Sequence, residues 1–445
     1  MDVFIMLNTF LQLDDKVLAV TIMIVSYLFL FSEKVNRAVV ALLGATAMII
    51  FGVLNQKQAI SSIDFNTLDL LIGMMIIVSI TEKTGIFQFI SLWAVKKVRA
   101  NPRAVLAVMT VLTALLSGYV DNVTTVLLMT PIIIETTKVL EVKSFPFLMM
   151  TIFACNIGGA ATLIGDPPNI LVGTHLRMTF MDFIYNMALI SYLLVAVLIV
   201  VFDFIWGRKL YATPTKRAEV MMMCHKCHLV DIPTLIKSLT VLALVIIGFI
   251  FAHDIHLETG TIAIMGAAVL MLVYNIGIDK ETGEERIHAV LASVDWITIL
   301  FFAGLFIIVA GLEHSGILEI IGQHFAAWAN GSINKMMMAF LWASAGASMI
   351  IDNIPFVAIM IPIIQTIEQA MNLGDDFRPI WWALLMGACY GGNGTLISSS
   401  ANVVVAGIAA RKRRRIGFFE FMKWGVPVTV GSIAISSVYI WLRYL

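Results

Sequence analysis

The chain has 445 residues, of which 60% belong to the apolar set from Ala to Cys and 13% are charged, against roughly 45 to 50% and about 25% in ordinary soluble domains; a soluble enzyme is excluded. Lys plus Arg and Asp plus Glu both number 29, so net charge points to neither a nucleic-acid nor an acidic partner. At roughly 20 residues per span there is room for about ten helices, and the apolar runs lack the alternation of a membrane barrel.

Asp2, Asp14 and Asp15 precede the first apolar run without a basic segment or cleavage site, so no removable signal peptide is expected. Continuous apolar runs predict helices at about 17–32, 37–54, 66–81, 181–206, 236–252, 260–275, 295–311 and 424–442. Residues 104–135 and 337–368 are each long enough to cross twice. Asp121-Asn122 and Asp352-Asn353 near their middles would be costly facing lipid, so both read as re-entrant helical hairpins. Residues 146–174 and 380–410 are single crossings interrupted by Gly158-Gly159, Gly165 and Pro167-Pro168, and by Gly391-Gly392, Gly394 and Ser398 to Ser400. Such broken helices are tolerated at membrane depth where loose backbone is buried or lines a cavity.

The chain repeats itself. At an offset of 231, Asp64, Gly73, Glu82, Gly85, Asp121-Asn122 and Pro131 fall on Asp295, Gly304, Glu313, Gly316, Asp352-Asn353 and Pro362. At 233, Thr162-Leu163-Ile164 and Asn169 fall on Thr395-Leu396-Ile397 and Asn402. With both termini outside, the loops assigned to the cytoplasm hold 23 of the 29 Lys plus Arg and leave 6 outside. The halves then have inverted topology, residues 1–206 and 236–445 joined by a cytoplasmic linker at 207–235. Each half reads span, span, span, hairpin, broken span, span. The expected fold is an all-α polytopic membrane protein of two inverted repeats, the architecture of secondary transporters.

Two tips and two breaks should converge near the bilayer centre. The candidate solute-binding residues are Asn122 and Thr124 on tip one, Asn353 on tip two, Asn156, Gly159, Thr162 and Asn169 at break one, and Asn393, Thr395, Ser398, Ser399 and Asn402 at break two. Half-helix termini there offer partial charges to a solute or ion. Asp121, Asp166 and Asp352 are the candidates for proton or ion coupling, since a carboxylate at centre depth costs roughly 2.5 to 3.5 kcal/mol and desolvation favours its protonated form. The set holds no Arg, Lys or His, which favours a neutral or cationic solute, or proton coupling. Capping of half-helices is the competing reading of the tip Asp-Asn pairs, and close packing that of the glycine pairs. Cys155 and Cys389 beside the breaks read as packing rather than as thiolate ligands. Cys224-His225-Lys226-Cys227-His228 matches a haem-attachment spacing, but on a cytoplasmic loop it reads as inert rather than as a metal or metalloid sensor. Arg411 to Arg415 reads as an anchor beside acidic lipid. No metal site, cofactor or catalytic residue is expected. No nucleophile carries a paired base, and no phosphate loop is present.

The runs Asn156-Ile-Gly-Gly-Ala-Ala-Thr-Leu-Ile-Gly-Asp-Pro-Pro-Asn169 and Gly391-Gly-Asn-Gly-Thr-Leu-Ile-Ser-Ser-Ser-Ala-Asn402, with the Asp-Asn tips, resemble the arsenite permease and P-protein branch of the ion transporter superfamily. The resemblance implies an elevator-type transporter, often a homodimer, with a scaffold domain and a mobile domain carrying hairpins and broken helices. It implies proton-coupled efflux of arsenite or antimonite across the cytoplasmic membrane. Arsenite, a neutral triol, suits a lining of Asn, Thr and Ser with protonatable Asp. The tips differ from the Ser-Asn-Thr of the sodium-dicarboxylate relatives. The alternatives are a sodium/proton antiporter, a sodium-coupled anion or carboxylate carrier, and a P-protein-like anion pathway. The expected partners are a small inorganic solute and the lipid bilayer, with room for a soluble ATPase subunit, since nothing in this chain binds ATP.

Overall fold

The structure, a computed structural model, describes residues 15–32, 34–329, 332–371, 377–412 and 414–444. Among these it is helical throughout, with no strand. The first half runs α1 (Asp15–Ser32), α2 (Arg37–Ile50), α3 (Phe65–Lys83), α4 (Ile86–Lys97), α5 (Pro102–Ser117), α6 (Asn122–Val139), α7 (Phe145–Gly159), α8 (Pro167–His175) and α9 (Leu189–Ile205, entered through a π-turn at Ile184–Ala188). The second runs α10 (Ile232–Ile250), α11 (Thr259–Tyr274), α12 (Trp296–His314), α13 (Ile317–Ala329), α14 (Ile333–Ser348), α15 (Asn353–Met371), α16 (Arg378–Gly391), α17 (Ser400–Arg411) and α18 (Phe418–Tyr444). Helices α3 to α6 and α12 to α15 start 231 residues apart, and α7 and α8 start 233 residues before α16 and α17. Five helices among the described residues are long and apolar enough to cross a membrane, and further apolar helices are shorter.

The expected hairpins are α5–α6 and α14–α15, and the expected broken spans are α7–α8 and α16–α17. Helices stand at Gln56–Ser61, Pro214–Met222 and Lys280–Leu291, in stretches read as connections, and two further unexpected helices are related by the repeat. Helices α4 and α13 occupy stretches read as loops; at 12 and 13 residues they reach only about 20 Å, too short for an apolar-run criterion to register them as spans. Each follows a left-handed glycine, Gly85 at φ 79° and Gly316 at φ 73°, which lets the chain turn sharply off α3 and α12 through a backbone conformation that side chains rarely adopt.

Small residues set the helix packing. A Cβ at Gly158 would lie 2.5 Å from Cα of Ala114, and one at Gly391 3.1 Å from Cα of Ala345; these repeat-related contacts seat α7 on α5 and α16 on α14. Residues 146–159 of α7 are buried on every face, as befits a helix apolar all round. Across the halves, α2 packs on α12 and α11 on α3, with Gly304 against the Ala41 backbone and Gly73 against that of Ala263. The exchange is what a two-fold relation between the halves requires.

In the linker, Cys224 and Cys227 are joined in a disulfide, a bridge between residues three apart in sequence. Its loop is held to the α3–α4 corner by Val230 N–H donating to Thr84 O at 3.1 Å.

Candidate transport site

Each tip is tied to its own break by one threonine. Thr162 Oγ1 donates to Gly118 O, and Thr395 Oγ1 donates to Met349 O at 2.7 Å. Each break is in turn held closed by one buried asparagine. Asn169 Nδ2 donates to Thr162 O at 2.7 Å and Ala160 O at 3.1 Å; Asn402 Nδ2 donates to Thr395 O at 2.9 Å and Gly392 O at 2.7 Å. Backbone carbonyls freed by helix interruption are otherwise expensive to bury, so these four residues are braces of the unwound segments. Ser398 Oγ joins them, lying 2.7 Å from Gly392 O.

The two breaks also brace each other. Asn156 Nδ2 lies 3.0 Å from Asn402 Oδ1 and from Asn393 Oδ1, while its Oδ1 accepts from Ser399 Oγ at 3.1 Å. Its repeat partner at the offset of 233 is Cys389, whose thiol reaches Asn169 Oδ1 at 3.6 Å. Asn393 Nδ2 is buried without a hydrogen-bond partner.

Asp166 is the meeting point of the tips. It is 2% exposed, ahead of Pro167-Pro168 and α8. Asn353 Nδ2 stands 3.4 and 3.5 Å from its two oxygens, and Asn122 and the Cys389 thiol lie beside it. Asn122 Oδ1 in turn accepts from Ser117 Oγ, and Gly159 lets that amide lie against the break, since a Cβ there would fall 2.4 Å from Oδ1. The structure thus brings Asn122, Gly159, Asp166, Asn353 and Cys389 into one buried cluster without a cation.

Asp121 and Thr124 lie apart from it, partly exposed. Asp121 caps α6, accepting Thr124 N–H at 3.0 Å. Asp352 also caps, accepting Ile354 N–H at 3.2 Å, so the capping reading holds locally at both tips. Asp352 does more, because it lines a cavity of about 490 Å³ with Val123, Asp295, Phe301, Ile350, Ser400 and Arg37.

Arg37 corrects the sequence reading that the site lacks a cation. At the first turn of α2 it donates to Ser400 Oγ at 3.0 Å and Thr298 Oγ1 at 2.6 Å, and lies 3.6 Å from Asp295. Ser400 Oγ donates onward to Asp352 at 3.3 Å. Counted as a loop charge at a span end, Arg37 served only to set orientation. The signal that could have found it is its place at a helix start opposite Asp295, a residue the repeat had already singled out. Cys155, buried between Ser117 and Asn122, is packing.

The sequence pattern of the citrate transporter family matches residues 27–387, most of the chain. The chain belongs to that family. It is 38% identical to an uncharacterized transporter of Mycobacterium bovis over 96% of this chain and 99% of the relative. It is 32% identical to the human P protein, over 94% of this chain and 59% of that one. The crystal structure of the Alcanivorax borkumensis YdaH transporter superposes with a TM-score of 0.60 at 14% identity, covering 88% of this chain and 90% of that one. This member of the citrate transporter family is therefore a multi-pass membrane transporter of the ion transporter superfamily. The family matched is the citrate one, and the likeness to P protein that its motifs implied is present; none of these three relatives carries a substrate in its name.

Proposed function

We propose that the protein is a proton-coupled secondary transporter of a small polar solute, and that the solute is arsenite or antimonite, expelled from the cell. The observation that carries the reading is Asp166, a buried carboxylate addressed by amides from both hairpin tips and by a thiol, with no cation beside it. Such a group is stable when protonated or when a cation joins it, which makes its charge state depend on what occupies the site. In the cavity, Asp295 and Asp352 outnumber Arg37, so a bare multivalent anion gains little there, whereas a neutral triol finds the hydroxyl of Ser400 and the amide of Asn36. The elevator motion implied by the superfamily is part of the same proposal.

A second reading, sodium- or proton-coupled carboxylate transport, is favoured by the citrate transporter pattern over residues 27–387. One assay separates the two. Proteoliposomes are given arsenite, antimonite or citrate under an imposed pH gradient, with and without sodium. Arsenite flux driven by the pH gradient alone supports the first; citrate flux that needs sodium or protons, with no arsenite flux, replaces it. Solute-independent conductance would instead indicate an anion pathway.

A further inference from the structure

At the start of α2 the two halves differ in charge at a matched position. Arg37 is the first residue of α2, and the first residue of the matching α11 is Thr259; Ser400, the first residue of α17, is matched by Pro167 at the start of α8. The first half therefore has no counterpart to the chain Asp295, Arg37, Ser400, Asp352. That chain crosses between two packing units: Arg37 and Asp295 belong to the α2–α12 pair, whereas Ser400 and Asp352 belong to break two and tip two. Three elements meet a single guanidinium in a cavity of about 490 Å³.

We infer that Arg37 is the positioning residue of the coupling step: through Ser400 it holds Asp352 in its charged form against the α2–α12 pair, and a proton arriving on Asp352 releases tip two and break two from that pair. The inference rests on the proton-coupled reading above and adds the residue through which the proton acts. The groups facing Asp352 are few. Arg37 comes from α2 and Asp295 from α12; Asp166 stands behind Asn353 at break one, and tip one brings Val123 with Asp121 beside it. Helix α17 contributes the Ser400 hydroxyl, and α1 places the Tyr27 hydroxyl on Pro355 O at 2.9 Å. Arg37 is the cation among them. Removing it leaves, among the charged groups named, only carboxylates around Asp352, and like charges disfavour ionisation. A guanidinium can hold Ser400, Thr298 and Asp295 at once through its fork of donors, whereas an ammonium supplies the charge with less geometric reach.

The test titrates the purified protein, without solute, by the infrared band of protonated carboxyl groups. The Asp352 component is the part absent in Asp352→Asn. In Arg37→Gln its midpoint should move to higher pH by one unit or more, a tenfold change in proton affinity, while Arg37→Lys should recover at least half of that shift. An unchanged midpoint in Arg37→Gln, or an equal shift in the Gln and Lys variants, overturns the inference. Should Arg37→Gln fail to give a monodisperse protein, Ser400→Ala decides. It removes the bridging hydroxyl and no charge, and a midpoint left where wild type has it also overturns the proposal. No solute enters this measurement. A shifted midpoint beside solute flux indifferent to pH would refute proton coupling and leave the Arg37–Asp352 link standing.

Discussion

Asn169 and Asn402 do the same work in the two halves, each spending its side-chain amide on carbonyls that the helix break has left open. Replacing either with Ala removes the donor while the carbonyls stay buried, a cost of about 1 to 3 kcal/mol. Asn169→Ala and Asn402→Ala should therefore lower the thermal midpoint of the detergent-solubilised protein by comparable amounts. A large loss at one and none at the other would mean that the braces are not equivalent. Asp166 invites a different change, because its partners are donors that an amide oxygen can also receive. Asp166→Asn should keep the protein folded and monodisperse while weakening the coupling of solute flux to an imposed pH gradient in proteoliposomes; undiminished coupling would leave Asp352 alone as the carboxylate that takes the proton. Asp121, spent on capping α6 and lying outside the cluster, should give the mildest effect of the three when changed to Asn.

Between helices, the fit depends on which face of each helix carries a hydrogen in place of a methyl. Gly158→Ala sets a methyl against the Ala114 backbone and must push α5 off α7, whereas Gly346, on α14, has no heavy atom within 4 Å of the methyl it would gain. Gly158→Ala should destabilise and Gly346→Ala should stabilise by up to about 1 kcal/mol through helix propensity, read as opposite shifts in a thermal-unfolding assay. The same physics explains what could be read from residues alone. Asp64 and Asp295 cap matching helices, Gly85 and Gly316 make matching left-handed turns, and the Asp-Asn pairs begin matching hairpin limbs, so repeated special residues exposed the repeat. Helices α4 and α13 escaped because their apolar content is spread over too few residues to distinguish a short helix from a loop. Arg37 escaped for another reason. A charge near a span end is ordinary, and only the packing of α2 against α12 brings this one to Ser400 and tip two.

At the scale of the whole molecule, the two halves make the same parts and close them differently. In the first half, Asp64 Oδ2 accepts from Thr67 Oγ1 at 2.6 Å and Thr174 Oγ1 at 3.0 Å, drawing α3 onto α8. In the second, Asp295 still holds Thr298, but the residue matching Thr174 is Gly407, with nothing within 4 Å of the methyl it would gain, on the helix whose Ser400, Val403 and Val404 line the cavity. Transport by an inverted repeat predicts that the halves trade these arrangements. In a background lacking Cys224 and Cys227, the pair Thr67→Cys with Thr174→Cys should cross-link in the resting protein. The pair Thr298→Cys with Gly407→Cys should cross-link only in a population that has turned over, and either bridge should arrest flux. Cross-linking of both pairs in one resting molecule would rule out the exchange. An ideal two-fold would make the two doors equal in energy, leaving the empty carrier to idle at either. With Arg37 on one side and Thr259 on the other, the degeneracy would be lifted, and a carrier that trades the two arrangements should rest with one door ajar, loading from one compartment before the other.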